Sequence, residues 1–215
     1  MRPSDQALPV AAVVLAAGLS TRFGRPKQML EIQGRLLLAR VLQNVLASRL
    51  EPVILVLGHW ADQITQALKG PGGVSEEEFA RLIITYNPDY ATGQSSSIRA
   101  GTGSLPANIE AVMFIMGDQI GLSGVIIEKI LARAGQEDAL GVVRPRYGRR
   151  PGGPILWRKK HFTRLMTLTG DQGGRSLLGD LDPSEVTYLD LPAEDEPFDL
   201  DTEADYQAWL SRLEE

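Results

Sequence analysis

Short, almost wholly apolar runs alternate with segments of helical periodicity along nearly the whole chain, and this alternation constrains the fold more than any other feature. Val10–Ala16 is too short for a helix, lacks polar alternation and ends before Gly18, as a strand buried on both faces does. Further strand-like runs are Val53–Leu57, Leu82–Tyr86, Ala111–Met116, 140–143, 154–157 and Val186–Leu191. Between them, apolar residues at helical spacing predict a helix of about four turns from Leu36 to before Pro52. Others are expected over 60–68, 95–102, Gly124–Ala134 and 202–213, the last with Thr202 as N-cap. Strand, helix, strand in this order, joined by short connections, implies right-handed parallel crossovers. The expected architecture is therefore an α/β fold: three layers, α/β/α, around a mostly parallel, Rossmann-like central sheet.

Length and composition narrow the function. At 215 residues the chain suits one large domain, taken here as 1–215 with its core at about 9–210. The 43% hydrophobic and 23% charged residues and a mean hydropathy of -0.09 are ordinary for globular chains. No apolar run approaches the ~20 residues that cross a bilayer, and residues 1–5 carry no export signal, so no membrane is expected and a cytoplasmic location is. Cysteine is absent, which removes disulfides, thiolate metal sites and cysteine nucleophiles. Histidine chemistry is confined to His59 and His161, both expected to be surface or satisfied residues.

The net charge of -5 hides an asymmetry. From Asp180 onward thirteen acids face Arg212 alone, a balance of -12, so the preceding 179 residues carry +7. A basic body suits an anionic small molecule, although a solvated acidic tail beside an ordinary surface would give the same count. Lys/Arg runs with interleaved aromatics are missing, so no nucleic-acid partner is expected.

In parallel sheets ligands bind beyond the carboxyl ends of the strands, which directs attention to residues 17–27, 87–99 and 117–119. The first loop combines small residues and hydroxyls with Arg22, Arg25 and Lys27 and contains no acid. Backbone amides can approach an anion where side chains are small, and the bases can neutralise it; a solvated turn has the same composition. The spacing from Gly18 to Gly24 is not that of a P-loop, and Ser20 stands where a G-x-G-x-x-G fingerprint needs glycine.

The run L-A-A-G-L-S-T-R-F-G-R-P-K at 15–27 resembles the L-A-x-G-x-S-x-R-x-G-x-x-K signature of the nucleotidyltransferases that make molybdenum dinucleotide cofactors. Four further segments resemble that family in order: 87–99, Gly117-Asp118-Gln119, 170–175 and 199–205. The nearest resemblance is to the molybdenum cofactor cytidylyltransferases, because Ala17 stands where the guanylyltransferases usually carry a second glycine. It implies the nucleotide-diphospho-sugar transferase fold and transfer of CMP from CTP to the terminal phosphate of Mo-molybdopterin. The products would be molybdopterin cytosine dinucleotide and pyrophosphate, with Mg²⁺ as cofactor and a molybdenum hydroxylase apoenzyme as a transient partner. Another nucleotide, another phosphorylated acceptor or a non-catalytic carrier of the cofactor are the alternatives.

Carried over residue by residue, Arg22, Lys27 and Asp118 would be catalytic. Leu15, Ala16, Ala17, Gly18, Ser20, Gly93 and Ser97 would bind the nucleotide with them. Asp118 and Asp201, with Asp199 as the alternative to Asp201, would hold the metal. Gln119, Gly153, Pro154, Asp171 and Arg175 would face the acceptor, Gly153 replacing a histidine common in the family. Ser95 would cap the helix that carries Ser97, and Trp60, Trp157 and Trp209 would serve packing.

Overall fold

The computed structural model describes residues 8–19, 23, 25–136, 141–200 and 202–212. The strands are β1 (Val10–Ala16), β2 (Glu31–Ile32), β3 (Arg35–Leu36), β4 (Val53–Leu57), β5 (Leu82–Tyr86) and β6 (Ala111–Met116). They continue with β7 (Gln119–Ile120), β8 (Val142–Tyr147), β9 (Arg150–Pro151), β10 (Ile155–Arg158), β11 (Val186–Leu191) and β12 (Phe198–Asp199). The helices are α1 (Leu37–Leu46), α2 (Ala61–Leu68), α3 (Glu76–Ala80), α4 (Gln94–Gly103), α5 (Gly124–Ala134), α6 (Phe162–Leu165) and α7 (Glu203–Arg212).

One sheet of eight strands runs in the order β11-β8-β10-β6-β1-β4-β5, with β9 paired to β8. The pairs β1–β4, β1–β6, β4–β5 and β8–β11 are parallel, so the mostly parallel central sheet expected from the alternation is the architecture observed. Strand β10 is the exception, lying antiparallel between β6 and β8. Only seven residues separate β8 from β10, and a parallel return needs a crossover of a dozen or more.

Helices cover both faces. On β1, Val10, Ala12, Val14 and Ala16 join the cluster under α1, α2 and α5, whereas Val13 and Leu15 join the one that holds Ile98 of α4 and Leu165 of α6. That two-sided burial is why β1 reads as a continuous apolar run. Helix α1 stops at Leu46, short of four turns. The residue before Pro52 disfavours the α region, so the chain must leave the helix early to enter β4 extended. Strand β8 begins at Val142, two residues later than expected; Leu140 lies outside the described residues.

A third cluster of Leu30, Ile32, Leu37, Ile120 and Leu200 lies off the main sheet, where β12 pairs antiparallel with β7 and places Asp199 opposite Gln119. Thr202 caps α7 as expected: its Oγ1 accepts from the Asp205 amide at 3.2 Å, while its own amide donates to the Asp205 carboxylate at 2.8 Å. Among the described residues no helix is long and apolar enough to cross a membrane.

Candidate active site

The carboxyl ends of β1, β4 and β6 converge on small residues. The Gly117 amide donates to the Leu15 carbonyl at 2.9 Å, and a Cβ at Gly117 would lie 3.1 Å from both that oxygen and the Ala16 Cβ. At Gly58 a Cβ would lie 2.6 Å from the Ala17 carbonyl oxygen. Neighbouring strands can therefore close on the start of the 17–27 loop only because these positions carry so little side chain. Beyond Ala17 the loop opens: a Cβ on Gly18 would meet nothing, and Trp60 Nε1 donates to the Leu19 carbonyl at 3.3 Å. Ser20, Arg22 and Asp201 lie outside the described residues.

Lys27 returns from this loop to the turn after β6, where its ammonium pairs with the Asp118 carboxylate and donates to the Leu200 carbonyl at 3.2 Å. Asp118 is 6% exposed. Its backbone carbonyl accepts from the Ile120 amide at 3.1 Å and from the Leu200 amide at 3.5 Å. The short strand β12 thus delivers the backbone of Asp199 and Leu200 beside Asp118, from 81 residues further along the chain. Only the backbone of Asp199 is described. Arg25, on the same loop, faces outward and pairs with Glu203 at 3.5 Å.

The serine-rich segment after β5 folds as α4. Its N-cap is Gly93 rather than Ser95. Gly93 sits at φ +109, and a Cβ there would lie 2.4 Å from the Gly170 backbone, so glycine alone permits the contact that joins the two loops. Ser95 instead accepts from Arg99 at 3.2 Å. Asn87 is 2% exposed and donates to Ser96 at 2.8 Å and to Ser97 at 3.0 Å, leaving the Ser97 hydroxyl proton free to donate.

On the α4 side of the sheet lies a cavity of about 550 Å³. All five residues expected to face the acceptor line it: Gln119, Gly153, Pro154, Asp171 and Arg175. Leu15 also reaches it, with Phe114, Met116, Ile155 and Trp157 as an apolar wall. Trp157 is 1% exposed and meets His161 edge to face at 5.8 Å, so it combines packing with lining the cavity. Gln119 Oε1 is buried without a hydrogen-bond partner among the described residues. Arg144 stands near enough to Arg175 for their charges to repel; burial first, and that repulsion second, lower its pKa.

His59 is exposed, its Nδ1 3.0 Å from the Tyr90 hydroxyl. His161 departs from the expectation of a surface or satisfied residue, being 2% exposed with Nε2 lacking a hydrogen-bond partner among the described residues. Burial lowers its pKa, and the Glu185 carboxylate 3.8 Å away offsets this only in part. Sequence reasoning passed over Asn87, Gln94, Tyr147 and Arg144. Asn87 and Gln94 lie inside the 87–99 segment, whose family resemblance was a signal; Arg144 and Tyr147 carried none, since their importance comes from a hairpin that brings them against residues 151–153.

Residues 12–186 match the family model of the MobA-like NTP transferase domain. The molybdenum cofactor cytidylyltransferase of Escherichia coli is 28% identical over 152 residues, covering 70% of each chain. Nicotine blue oxidoreductase of Paenarthrobacter nicotinovorans is 28% identical over 205 residues, 92% of this chain and 95% of that protein. CMP-5'-(3-aminopropyl)phosphonate synthase of Streptomyces rubellomurinus is 31% identical over 150 residues, 66% of this chain, which spans only 22% of that relative's length. Among solved structures, Rv0371c of Mycobacterium tuberculosis superposes with a TM-score of 0.79 at 24% identity, over 96% of this chain and 100% of that one. The same protein has been solved in complex with manganese, with a TM-score of 0.75 at 23% identity and the same coverage. With the family model spanning most of the chain and the fold shared end to end, the chain belongs to the MobA-like NTP transferase domain family.

Proposed function

We propose that this chain transfers CMP from CTP to the terminal phosphate of Mo-molybdopterin, releasing pyrophosphate. The observation that carries this reading is the adjacency of two features at the carboxyl edge of one sheet. A buried Asp118–Lys27 pair lies at the end of β6, and the next residue, Gln119, lines a cavity walled by aromatic and apolar side chains. The cytidylyltransferase relative supplies the nucleotide and acceptor.

The chemistry asks little of the protein beyond charge and alignment. A phosphate monoester with a second pKa near ~6 is mostly dianionic at neutral pH, so it attacks the α-phosphorus without a general base. Lys27 lies within reach of the loop expected to cradle the triphosphate and would neutralise the charge growing on the departing pyrophosphate; Arg22 would share that task. The exposed Gly18 leaves its backbone open to the base, and Ser97 would offer it a hydroxyl. The cavity would align the acceptor phosphate opposite the leaving group.

The donor chemistry fits a hard divalent cation: Asp118 is a buried carboxylate, and β12 sets the backbone of Asp199 opposite Gln119, the next residue. Asp118 and Asp201, or Asp199 in its place, would hold Mg²⁺, which when bound would spread negative charge off the phosphates. Release of the product to a molybdenum hydroxylase apoenzyme belongs to the same reading.

A second reading is favoured by the relative named an oxidoreductase, which matches this chain nearly end to end. In it the aromatic-walled cavity seats a planar redox substrate and no pyrophosphate leaves. Purified protein given Mg²⁺, molybdopterin and CTP, GTP or ATP separately decides between them. Pterin-dependent pyrophosphate release selective for CTP is expected; release with another nucleotide would reassign the donor, and no release from folded protein would overturn the transfer reading.

A further inference from the structure

The acceptor side of the site, on the nucleotidyl-transfer reading, contains a wall built from behind by a residue that never touches the cavity. Strand β8 ends in Tyr147, which is 1% exposed, and the hairpin turns through Gly148 at φ +59 into β9. The chain then passes Gly152, Gly153 and Pro154, which line the cavity, before entering β10. The Tyr147 hydroxyl donates to the Gly153 carbonyl at 2.8 Å. Its ring occupies the space of a side chain at Gly152, where a Cβ would lie 2.8 Å from ring atoms Cδ2 and Cε2. The Gly152 amide donates to the Pro145 carbonyl at 3.0 Å, and the Arg144 guanidinium donates to the Pro151 carbonyl at 3.2 Å. Burial, with Glu196 and Asp195 adding to it, pushes the phenol pKa well above its ordinary value, so the hydroxyl remains a donor at neutral pH.

The cavity side of the same wall is open. A Cβ on Gly153 would meet only Gln119 Nε2, at an ordinary contact distance of 3.7 Å. Gln119 is itself 8% exposed, and its Oε1 finds no donor among the described residues. An empty space over a glycine beside an amide N–H donor on the cavity wall has the form of a place that a ligand completes.

We propose that Tyr147 is a positioning residue for the acceptor: it holds the Gly152–Gly153 wall so that the acceptor fills the space over Gly153 beside the Gln119 side-chain amide. The recognised acceptor is therefore one that presents a polar edge to the Gln119 amide, in addition to its phosphate.

The test uses the full chain with Tyr147→Phe, which removes one hydroxyl, and Gly153→Ala, which fills the gap without meeting backbone. For Tyr147→Phe the KM for molybdopterin is expected to rise roughly three- to tenfold, the span that loss of one hydrogen bond gives, with the KM for CTP and kcat within twofold of wild type. Gly153→Ala should raise the same KM while leaving the thermal midpoint in place. An unchanged acceptor KM in both variants, or a Tyr147→Phe defect shared equally by CTP and kcat, would overturn the assignment and leave the transfer reading standing. If wild-type protein releases no pyrophosphate, the transfer reading falls instead. Calorimetric affinities for molybdopterin without nucleotide then decide the assignment: weaker binding by Tyr147→Phe supports it, and equal or absent binding overturns it.

Discussion

Lys27 and Asp118 stand at the centre of the residue-scale argument, because the pair is nearly enclosed and each partner compensates the other's charge. Removing one side takes an opposite charge away from the other in a poorly solvated place, so a substitution there must separate catalytic from structural loss. Asp118→Asn keeps the shape and is expected to retain a cooperative thermal transition while metal-dependent turnover falls at least ~100-fold, the scale of losing one electrostatic group from a reacting centre. Lys27→Ala is expected to lower kcat more than CTP affinity, since its charge matters most as pyrophosphate departs; equal losses in both would assign it to ground-state binding. His161 supplies a pH dependence of a different kind. Its pKa is lowered in the folded chain, chiefly by burial and also by the Lys160 and Arg164 charges, with Glu185 opposing. Above the ordinary value of 6.5 both folded and unfolded forms are neutral; below it the unfolded chain takes up the proton more readily. Stability should therefore fall as pH drops through 6.5 toward the folded pKa and level off below it. Thermal melts between pH 7.5 and pH 5.5 are expected to show this slope in wild type and a flatter one in His161→Leu.

At the scale of elements, the site depends on how closely α4 lies on the sheet. A Cβ on Gly101 would be 2.3 Å from Val13 Cγ1 and 3.2 Å from Val56 Cγ2, so the helix reaches β1 and β4 only because that position is bare. Gly101→Ala is expected to destabilise by about 1–3 kcal/mol through overpacking, read as a lower urea midpoint at unchanged slope. The same displacement would lift Gly93 and Ser95 away from Gly170, so turnover should fall with it. Strands β1, β4 and β6 and helices α2 and α5 were legible within a residue or two, because length and periodicity agree there. Helix α3 was missed despite its Ser75–Glu78 capping box, being only five residues long and without a buried side chain. Strand β10 was recognised as a strand but not as antiparallel, since direction depends on the length of the connection and β8 runs on to Tyr147, four residues past its expected end.

Across the whole molecule the acidic C-terminal region crosses back over the basic body. Arg25–Glu203 and Lys129–Asp195 are exposed pairs at 3.5 and 3.7 Å, each worth little, so the attachment rests instead on Leu200, fully buried with Leu30, Ile32, Leu37 and Ile120. No ladder of the eight-stranded sheet uses residues beyond 197. A variant stopped after Pro197 is therefore expected to keep a cooperative thermal transition and lose turnover, because the Asp199–Leu200 backbone would no longer lie beside Asp118; retained turnover would remove that segment from the site. The strand runs, the glycine-bounded loop after β1 and the order of the motifs were determined by sequence alone, since burial on both faces and local backbone geometry leave direct marks in composition. Which side chains meet was decided only in three dimensions. Lys27 and Asp118 lie 91 residues apart, Gly93 and Gly170 touch across 77, and Tyr147 acts through a glycine six positions on, contacts that depend on how layers pack and that no local pattern encodes.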